Sequence, residues 1–402
     1  MLFMLEEKKK KLLKQVLDRT KGVPKASGRS DKFGRISFDD LVFLPAQLAK
    51  KPVDYFREEI STKTIVGKNS KRPLELDTPI VFGAMSFGAL SREAKIALAK
   101  ASTITGTMAN TGEGGMLPEE REFAKKLIVQ YSTGRFGITE EVLKKADAIE
   151  IKIGQGAKPG QGGLLPKEKL TEEIAKIRNV PLDKNVHSPA YHPDIENIED
   201  LKKKVSWLRE ITQGAPVIIK LGAGDIEADV KLAVKANPDI IAIDGLEGGT
   251  GAAPEVMLNE VGLPTLSALA KARKILDRLG AKQELWIGGG LTTGGDFAKA
   301  LALGANAVFC ATSLLVAMGC IRCGLCYLGK CPKGIATQDP QLRKNLNVQQ
   351  AAENIANYIK NCTEEIKMIA GACGENDIHK LNPEYLRAMN SEIAKISNTE
   401  LI

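Results

Sequence analysis

Between residues 78 and 312 the chain repeats one alternation eight times: a short apolar run, then in most cases a charged segment of helical period. The runs are TPIVFGAMSF, TMANTG, LIVQYS, AIEIKIG, PVIIKLG, DIIAIDG, LWIGGGL and NAVFCAT. Most close with Gly, Ser, Asn or Asp. Segments such as LSREAKIALAKAS and IEDLKKKVSWLREI fall between them. Strands separated by helices predict an α/β chain with a parallel sheet, and eight of them predict a closed (β/α)8 TIM barrel. A doubly wound open sheet is the alternative. It would want G-x-G-x-x-G directly after an early strand, and none is there. The remaining length divides into an N-terminal extension over 1–60, with a short amphipathic helix near 4–19, and a helical C-terminal tail over 346–402. The barrel domain occupies 61–345 and carries a cysteine loop at 319–332. Two helical patterns are expected in the tail, at 348–371 and 383–397.

Charge and composition exclude several classes. The formal charge is +8. Part of it is the run Lys8–Lys11, which reads as a solvated helix face. No aromatic-interleaved basic patch appears, so nucleic acid is not an expected partner. A basic balance suits small dianionic substrates instead. No run of 18 apolar residues occurs, so no spanning helix and no membrane partner is expected. The N-terminus places its apolar residues before its charges and has no cleavage-site pattern, unlike a secretory signal. Four of seven cysteines lie within twelve residues. That pattern indicates ligation in a reducing, cytoplasmic setting rather than disulfides.

In such a barrel the chemistry sits at the C-terminal ends of the strands. The first two tails are Ala84-Met85-Ser86 and Asn110-Thr111-Gly112-Glu113. The third holds Arg135. The fourth runs through Lys152 to Gln155 and Lys158, the fifth carries Lys220, and the sixth opens into Gly248-Gly249-Thr250. The seventh ends Gly289-Gly290 and the eighth Ala311-Thr312. Glycines after strands seven and eight are where these barrels place a phosphate. Lys220 lies in the apolar run VIIKLG and is costly to bury without an anion. It reads either as a lysine at the solvated strand mouth or as a cation set against an electron-rich ring. The second reading, with the glycine loops, suggests a flavin mononucleotide (FMN) barrel.

The cysteines read C-x2-C-x2-C-x4-C-P, at Cys320, Cys323, Cys326 and Cys331. One loop with this spacing can wrap an iron–sulfur cluster. Zinc is the other candidate, although four-cysteine zinc sites usually come as two C-x2-C pairs set further apart.

NTGEGG at 110–115, STGRFG at 132–137, KIGQGAKPGQGG at 152–163, EGGTGAAP at 247–254 and CPKGIATQDPQLR at 331–343 together resemble the FMN-binding synthase domain of glutamate synthase. The likeness runs in order from about 77 to 343. It implies FMN, an iron–sulfur cluster, and reductive amination of 2-oxoglutarate by ammonia through 2-iminoglutarate. It places Glu113 and Lys158 at the oxo-acid site, as the candidates for proton transfer. Arg178 should pair with a substrate carboxylate. Gln155 should bridge substrate and flavin edge, and Lys220 should lie near the flavin pyrimidine. The further flavin contacts it implies are Ala84, Met85, Ser86, Asn110, Arg135, Gly248, Gly249, Thr250, Gly289, Gly290, Ala311 and Thr312.

Departures from the family carry expectations of their own. The family spacing C-x5-C-x4-C, for [3Fe–4S], is reproduced by Cys320, Cys326 and Cys331. Cys323 adds a middle cysteine, so [4Fe–4S] is expected here, with [3Fe–4S] as the alternative. The first cysteine is Cys310, so this chain is not expected to hydrolyse glutamine by the family's N-terminal cysteine route. Ammonia is expected from solvent or a separate glutaminase subunit. Electrons are expected from a ferredoxin-like protein or an NAD(P)H- or deazaflavin-linked subunit, and the assembly is expected to be an oligomer. The alternative functions are the FMN subunit of an N-methylglutamate synthase and a flavin/iron–sulfur electron-relay subunit.

Overall fold

The computed structural model describes residues 36–251 and 253–402, together with Lys10, Leu17, Thr20 and residues 26–28. The helix expected near 4–19 lies outside the described residues but for Lys10 and Leu17.

All eight expected strands form. They are β1 (Ile80–Phe82), β2 (Ala109–Asn110), β3 (Leu127–Tyr131), β4 (Ala148–Lys152), β5 (Val217–Gly222), β6 (Ile240–Asp244), β7 (Glu284–Gly288) and β8 (Ala307–Cys310). The sheet order is β1-β8-β7-β6-β5-β4-β3-β2, with every ladder parallel. Two bonds close the ring between β1 and β2: the Phe82 N–H donates to the Met108 carbonyl (3.1 Å) and Thr107 Oγ1 to the Ile80 carbonyl (2.6 Å).

Side chains alternate across a strand, so each strand has one face in the barrel and one against the helices. Ile149, Ile151, Ile219, Ile241, Ile243 and Ile287 face outward into the helix layer. Ile128, Ala148, Ile218, Ile240 and Trp286 face inward and pack as one apolar plug. Val66 and Leu76 of the hairpin Thr64–Val66/Leu74–Leu76 join it at the N-terminal end. Two residues further along the same inward faces stand Gln130, Glu150 and Lys220. Asp244 follows Ala242 on β6 in the same way. The period of two therefore gives a dry floor and a polar upper layer from one pattern.

The helices labelled here are α1 (Arg92–Ile104), α2 (Pro118–Phe123), α3 (Glu140–Lys144), α4 (Glu172–Arg178), α5 (Ile198–Ile211), α6 (Ile226–Ala236), α7 (Thr265–Arg278), α8 (Gly294–Ala302), α9 (Thr312–Ala317), α10 (Val348–Ala372) and α11 (Ser391–Ser397), and short helices also form at Glu255–Glu260 and Pro340–Arg343. Many begin at a side chain that satisfies an orphan N–H: Ser91 caps α1, Asn197 caps α5, and Thr293 with Asp296 forms a capping box on α8. Between β4 and α5 the chain makes a long excursion containing α4 and the hairpin Leu164–Leu165/Val186–His187.

The tail corrects the expectation of two helices. The first pattern forms α10. The second breaks into a 3-10 turn at Pro383–Tyr385, a strand at Leu386–Ala388, and α11. Leu386 and Ala388 are fully buried with Arg387 between them, a period of two. That strand pairs antiparallel with Leu41–Phe43 of the extension.

Candidate active site

The polar upper layer opens into a cavity of about 1500 Å³ at the C-terminal ends of the strands. On its floor the fully buried Glu150 carboxylate takes three donors. These are Lys220 Nζ at 3.2 Å, Asn110 Nδ2 at 3.2 Å, and the Gln130 amide. Lys220 also faces Asp244 at 3.6 Å. Burial by itself would lower the Lys220 pKa, but the two carboxylates outweigh it and hold that pKa above the usual lysine value. Lys220 is 4% exposed, so the solvated-mouth reading is overturned: it is a buried cation with its counter-charges supplied by β4 and β6.

Above the floor, Glu113 from the β2 tail meets Lys152 at the end of β4, with Lys152 Nζ 2.6 Å from Glu113 Oε2. Burial would raise the Glu113 pKa. Lys152, Ser188 and Arg178 together outweigh burial and hold the group ionised below the usual carboxylate range. Its other oxygen, Oε1, is buried and has no hydrogen-bond partner among the described residues. Lys158 lines the same wall, is 8% exposed, and makes no ion pair with a described residue. Burial, then repulsion from Lys152, lowers its pKa, with Glu113 pulling the other way.

Arg178 ends α4, in the excursion, and is 4% exposed. Its Nη2 donates to the Phe87 carbonyl (2.6 Å) and lies 3.3 Å from Ser86 Oγ. Burial pushes its pKa down to about 10, which leaves it charged at neutral pH. Behind this wall His192 donates Nε2–H to the Lys152 carbonyl (2.8 Å) and presents Nδ1 to Arg135 (2.8 Å). Burial and Arg135 push its pKa down to about 4, so it stays neutral and braces the end of β4.

Most of the residues expected at the site line this one cavity: Ala84, Met85 and Ser86, Gln155, the loop Gly248-Gly249-Thr250, Gly289-Gly290, and Ala311-Thr312. The glycines serve close backbone approach. A Cβ on Gly249 would stand 2.4 Å from Thr312 Oγ1. Gly289 has φ +120, and its Cβ would stand 2.5 Å from Thr265 Oγ1. Two residues are not brought to the wall. Asn110 lies beneath the floor, spent on Glu150 and on the Gly112 N–H. Arg135 turns away to Asp194 (2.5 Å) and stacks on the Tyr131 ring. Lys152 stands at a strand end in the sequence, but nothing there gives it a role. Its inward parity with Glu150 is the signal that could have done so. Ser188 and, from α10, Tyr358 also reach the cavity, and only tertiary packing puts them there.

The cysteine loop borders the same cavity through Cys320 and Cys326, while Cys331 is buried and Cys323 exposed. Among the described residues no three His, Cys, Asp or Glu side chains are gathered tightly enough to hold a metal ion. The donor set nevertheless suits a cluster. Burial raises the Cys326 pKa, and the charges of Cys331, Cys320 and Cys323 raise it further, so the four thiols share one neighbourhood. The Arg322 N–H points at Cys320 Sγ (3.4 Å), and Arg322 and Gly324 both take positive φ, which bends the loop back on itself. Soft thiolates on one bent loop are the ligand chemistry of iron–sulfur centres.

The architecture is a (β/α)8 barrel. Among solved structures, a flavocytochrome b2 variant with sulfite bound overlays with TM-score 0.58 at 18% identity, covering 94% of this chain and 83% of its own. A mandelate oxidase variant with a monooxide FMN adduct overlays with TM-score 0.55 at 16% identity, covering 86% and 88%. At those identities the likeness is one of fold.

Sequence goes further. Residues 26–376 match the model of the conserved region in glutamate synthase, and the chain belongs to the glutamate synthase family. A glutamate synthase large subunit-like protein of Rhizobium meliloti is 41% identical over 384 residues, 90% of this chain and 87% of that protein. An archaeal-type glutamate synthase [NADPH] of Thermotoga maritima is 41% identical over 377 residues, 88% of this chain and 74% of that protein. No helix among the described residues is long and apolar enough to cross a membrane.

Proposed function

We propose that the chain catalyses the synthase reaction of its family: 2-oxoglutarate, ammonium, two electrons and two protons give L-glutamate and water. The observation that carries this reading is one cavity wall holding Arg178, a Lys158 ammonium with no ion-pair partner among the described residues, and a Glu113 carboxylate whose Oε2 is held by Lys152 while Oε1 has no partner among them. Two cations and one acceptor suit an oxo-dicarboxylate together with an amine. FMN fits the glycine loops after β6 and β7 together with the tails of β1 and β8, and Gln155 and Lys220 would face its ring. Cys320, Cys323, Cys326 and Cys331 fit a [4Fe–4S] cluster. When bound, the flavin supplies the two-electron reduction of the imine carbon and the cluster supplies electrons singly.

Arg178 forks a substrate carboxylate, with its guanidinium already oriented by the Phe87 carbonyl. Glu113 Oε1 accepts a hydrogen bond from ammonia and aims its lone pair at the keto carbon, while Lys152 keeps Oε2 occupied. Lys158, whose lowered pKa eases proton release, protonates the hydroxyl that leaves as water when 2-iminoglutarate forms. Ammonia comes from solvent or a separate glutaminase. The reductant comes through a second protein, consistent with the NADPH named for the Thermotoga relative and with the reducing, cytoplasmic setting that a thiolate cluster needs.

The test is the pH dependence of kcat/KM for 2-oxoglutarate, with free ammonia rather than total ammonium held constant. Activity requires protonated Lys158, so it falls as pH rises through a pKa lowered from 10.5. Lys158→Gln should remove that limb and cost about 10²–10⁴-fold in rate. An unchanged profile in the variant would sink the assignment.

The cluster type has its own test. Cys323→Ser should convert the centre to a three-iron form, lowering iron per chain by about one atom and producing a spectroscopically distinct oxidised cluster. Unchanged iron content and an unchanged spectrum would exclude Cys323 as a ligand.

A further inference from the structure

Lys169 lies in the excursion between β4 and α5, on the 3-10 turn Lys167–Lys169 that precedes α4. Its ammonium reaches across to the cysteine loop and donates to the Cys326 carbonyl. Its stem packs on Gly329, where an added Cβ would stand 3.2 Å from Lys169 Cε. It also lines the cavity that holds Glu113, Lys158 and Arg178.

The charge around this ammonium is one-sided. Lys169 has no carboxylate partner among the described residues, and the segment its ammonium reaches carries Cys320, Cys323, Cys326 and Cys331. Between Asp296 and Asp339 the chain contains no acidic residue, so the loop brings no carboxylate of its own to compensate. A lysine is costly to desolvate without a counter-charge. Here the counter-charge would be the thiolates of a cluster bound by this loop.

We propose that Lys169 is a positioning residue that sets the reduction potential of the cluster held by this loop. The inference rests on the cluster reading given above and goes beyond it. Adding an electron makes a cluster more negative. A fixed positive charge at its edge therefore stabilises the reduced form and raises the potential, and charge near the sulfurs is one of the levers that tune such centres. The same side chain joins the cluster loop to the segment that carries Arg178, so the charge is held at the wall of the substrate cavity.

The test uses the whole chain purified without oxygen, with both cofactors in place. The cluster is titrated with redox mediators and followed by electron paramagnetic resonance, with no substrate present. Lys169→Gln keeps a donor for the Cys326 carbonyl and removes the charge. It should lower the reduced-to-oxidised ratio at a fixed potential about tenfold, a downward shift of about 59 mV for one electron. Lys169→Arg keeps the charge and should restore most of the wild-type potential. Lys169→Met removes charge and donor and should show at least the shift of the glutamine variant. An unmoved midpoint in Lys169→Gln with full iron content would overturn the assignment. Loss of the cluster in both neutral variants would also overturn it, leaving Lys169 as a tether only. A wild-type chain with no cluster signal would contradict the cluster reading itself. Failure of glutamate synthesis would leave this measurement intact, because no substrate takes part in it.

Discussion

Replacing Lys95 by methionine is expected to destabilise the fold by about 3–5 kcal/mol. Lys95 sits on α1 and is 1% exposed, and its ammonium is 2.9 Å from Glu120 Oε1 on α2. The same ammonium donates to the carbonyls of Asn110 (3.0 Å) and Thr111 (3.1 Å), and to that of Met85. One side chain thus satisfies three backbone acceptors at the tails of β1 and β2 and neutralises a buried carboxylate. Methionine fills the volume but takes this donor from all three carbonyls and leaves the Glu120 carboxylate only the Leu117 N–H. Burial already pushes the Glu120 pKa up, with Lys95 opposing it, so without Lys95 the carboxyl would take up a proton instead of staying charged. The double variant Lys95→Met/Glu120→Gln should therefore lose less than the sum of the two single changes. Urea midpoints at constant m-value would measure this. A loss below about 1 kcal/mol would mean that water reaches those carbonyls. Because Met85 and Thr111 stand beside the cavity, the variant should also hold flavin less tightly than the parent.

Arg178→Lys should lower kcat/KM for 2-oxoglutarate by at least about 100-fold, and Arg178→Ala by more. Truncating one partner of a buried charge pair costs about 2–5 kcal/mol. Lysine cannot reproduce a planar fork that spends one edge on the Phe87 carbonyl and offers the rest to a carboxylate. The loss should appear mainly in KM, because the proposed role is to hold the substrate. Flavin content and photoreduction should stay normal, since the proposed role of Arg178 is toward the substrate and not the flavin. A variant with normal KM but poor flavin binding would instead make Arg178 a brace for the Ser86–Phe87 turn.

The parts of this molecule that depend on local pattern were legible in the sequence. Eight β-rich runs gave eight strands because each is buried on both faces, and such strands read as continuous apolar runs. The glycine tails marked the cavity because only glycine allows backbone to approach as closely as Gly249 approaches Thr312. What could not be read depends on which segments meet. Lys220 was conspicuous, but its partners Glu150 and Asp244 lie on two other strands. Their inward parity appears only once the barrel is closed in register. Glu113 and Lys158 were expected at the site, whereas Lys152, which fixes Glu113, was given no role. Arg135 sits in the matching motif beside the cavity, yet its guanidinium is drawn away by Asp194, on a loop whose path local sequence does not reveal. The strand Leu386–Ala388 reads as helix until Leu41–Phe43 is available to pair with it.

The most direct test of the whole account is a single anaerobic turnover. The chain is purified without oxygen, its flavin is photoreduced, and 2-oxoglutarate and ammonium are added separately and then together. The expected result is flavin reoxidation only when both are present, with one glutamate formed per flavin. Reoxidation by neither substrate alone nor the pair, in a chain holding both cofactors, would contradict the assignment. Formation of N-methylglutamate from methylamine and glutamate in its place would move the chain to a transferase on the same barrel.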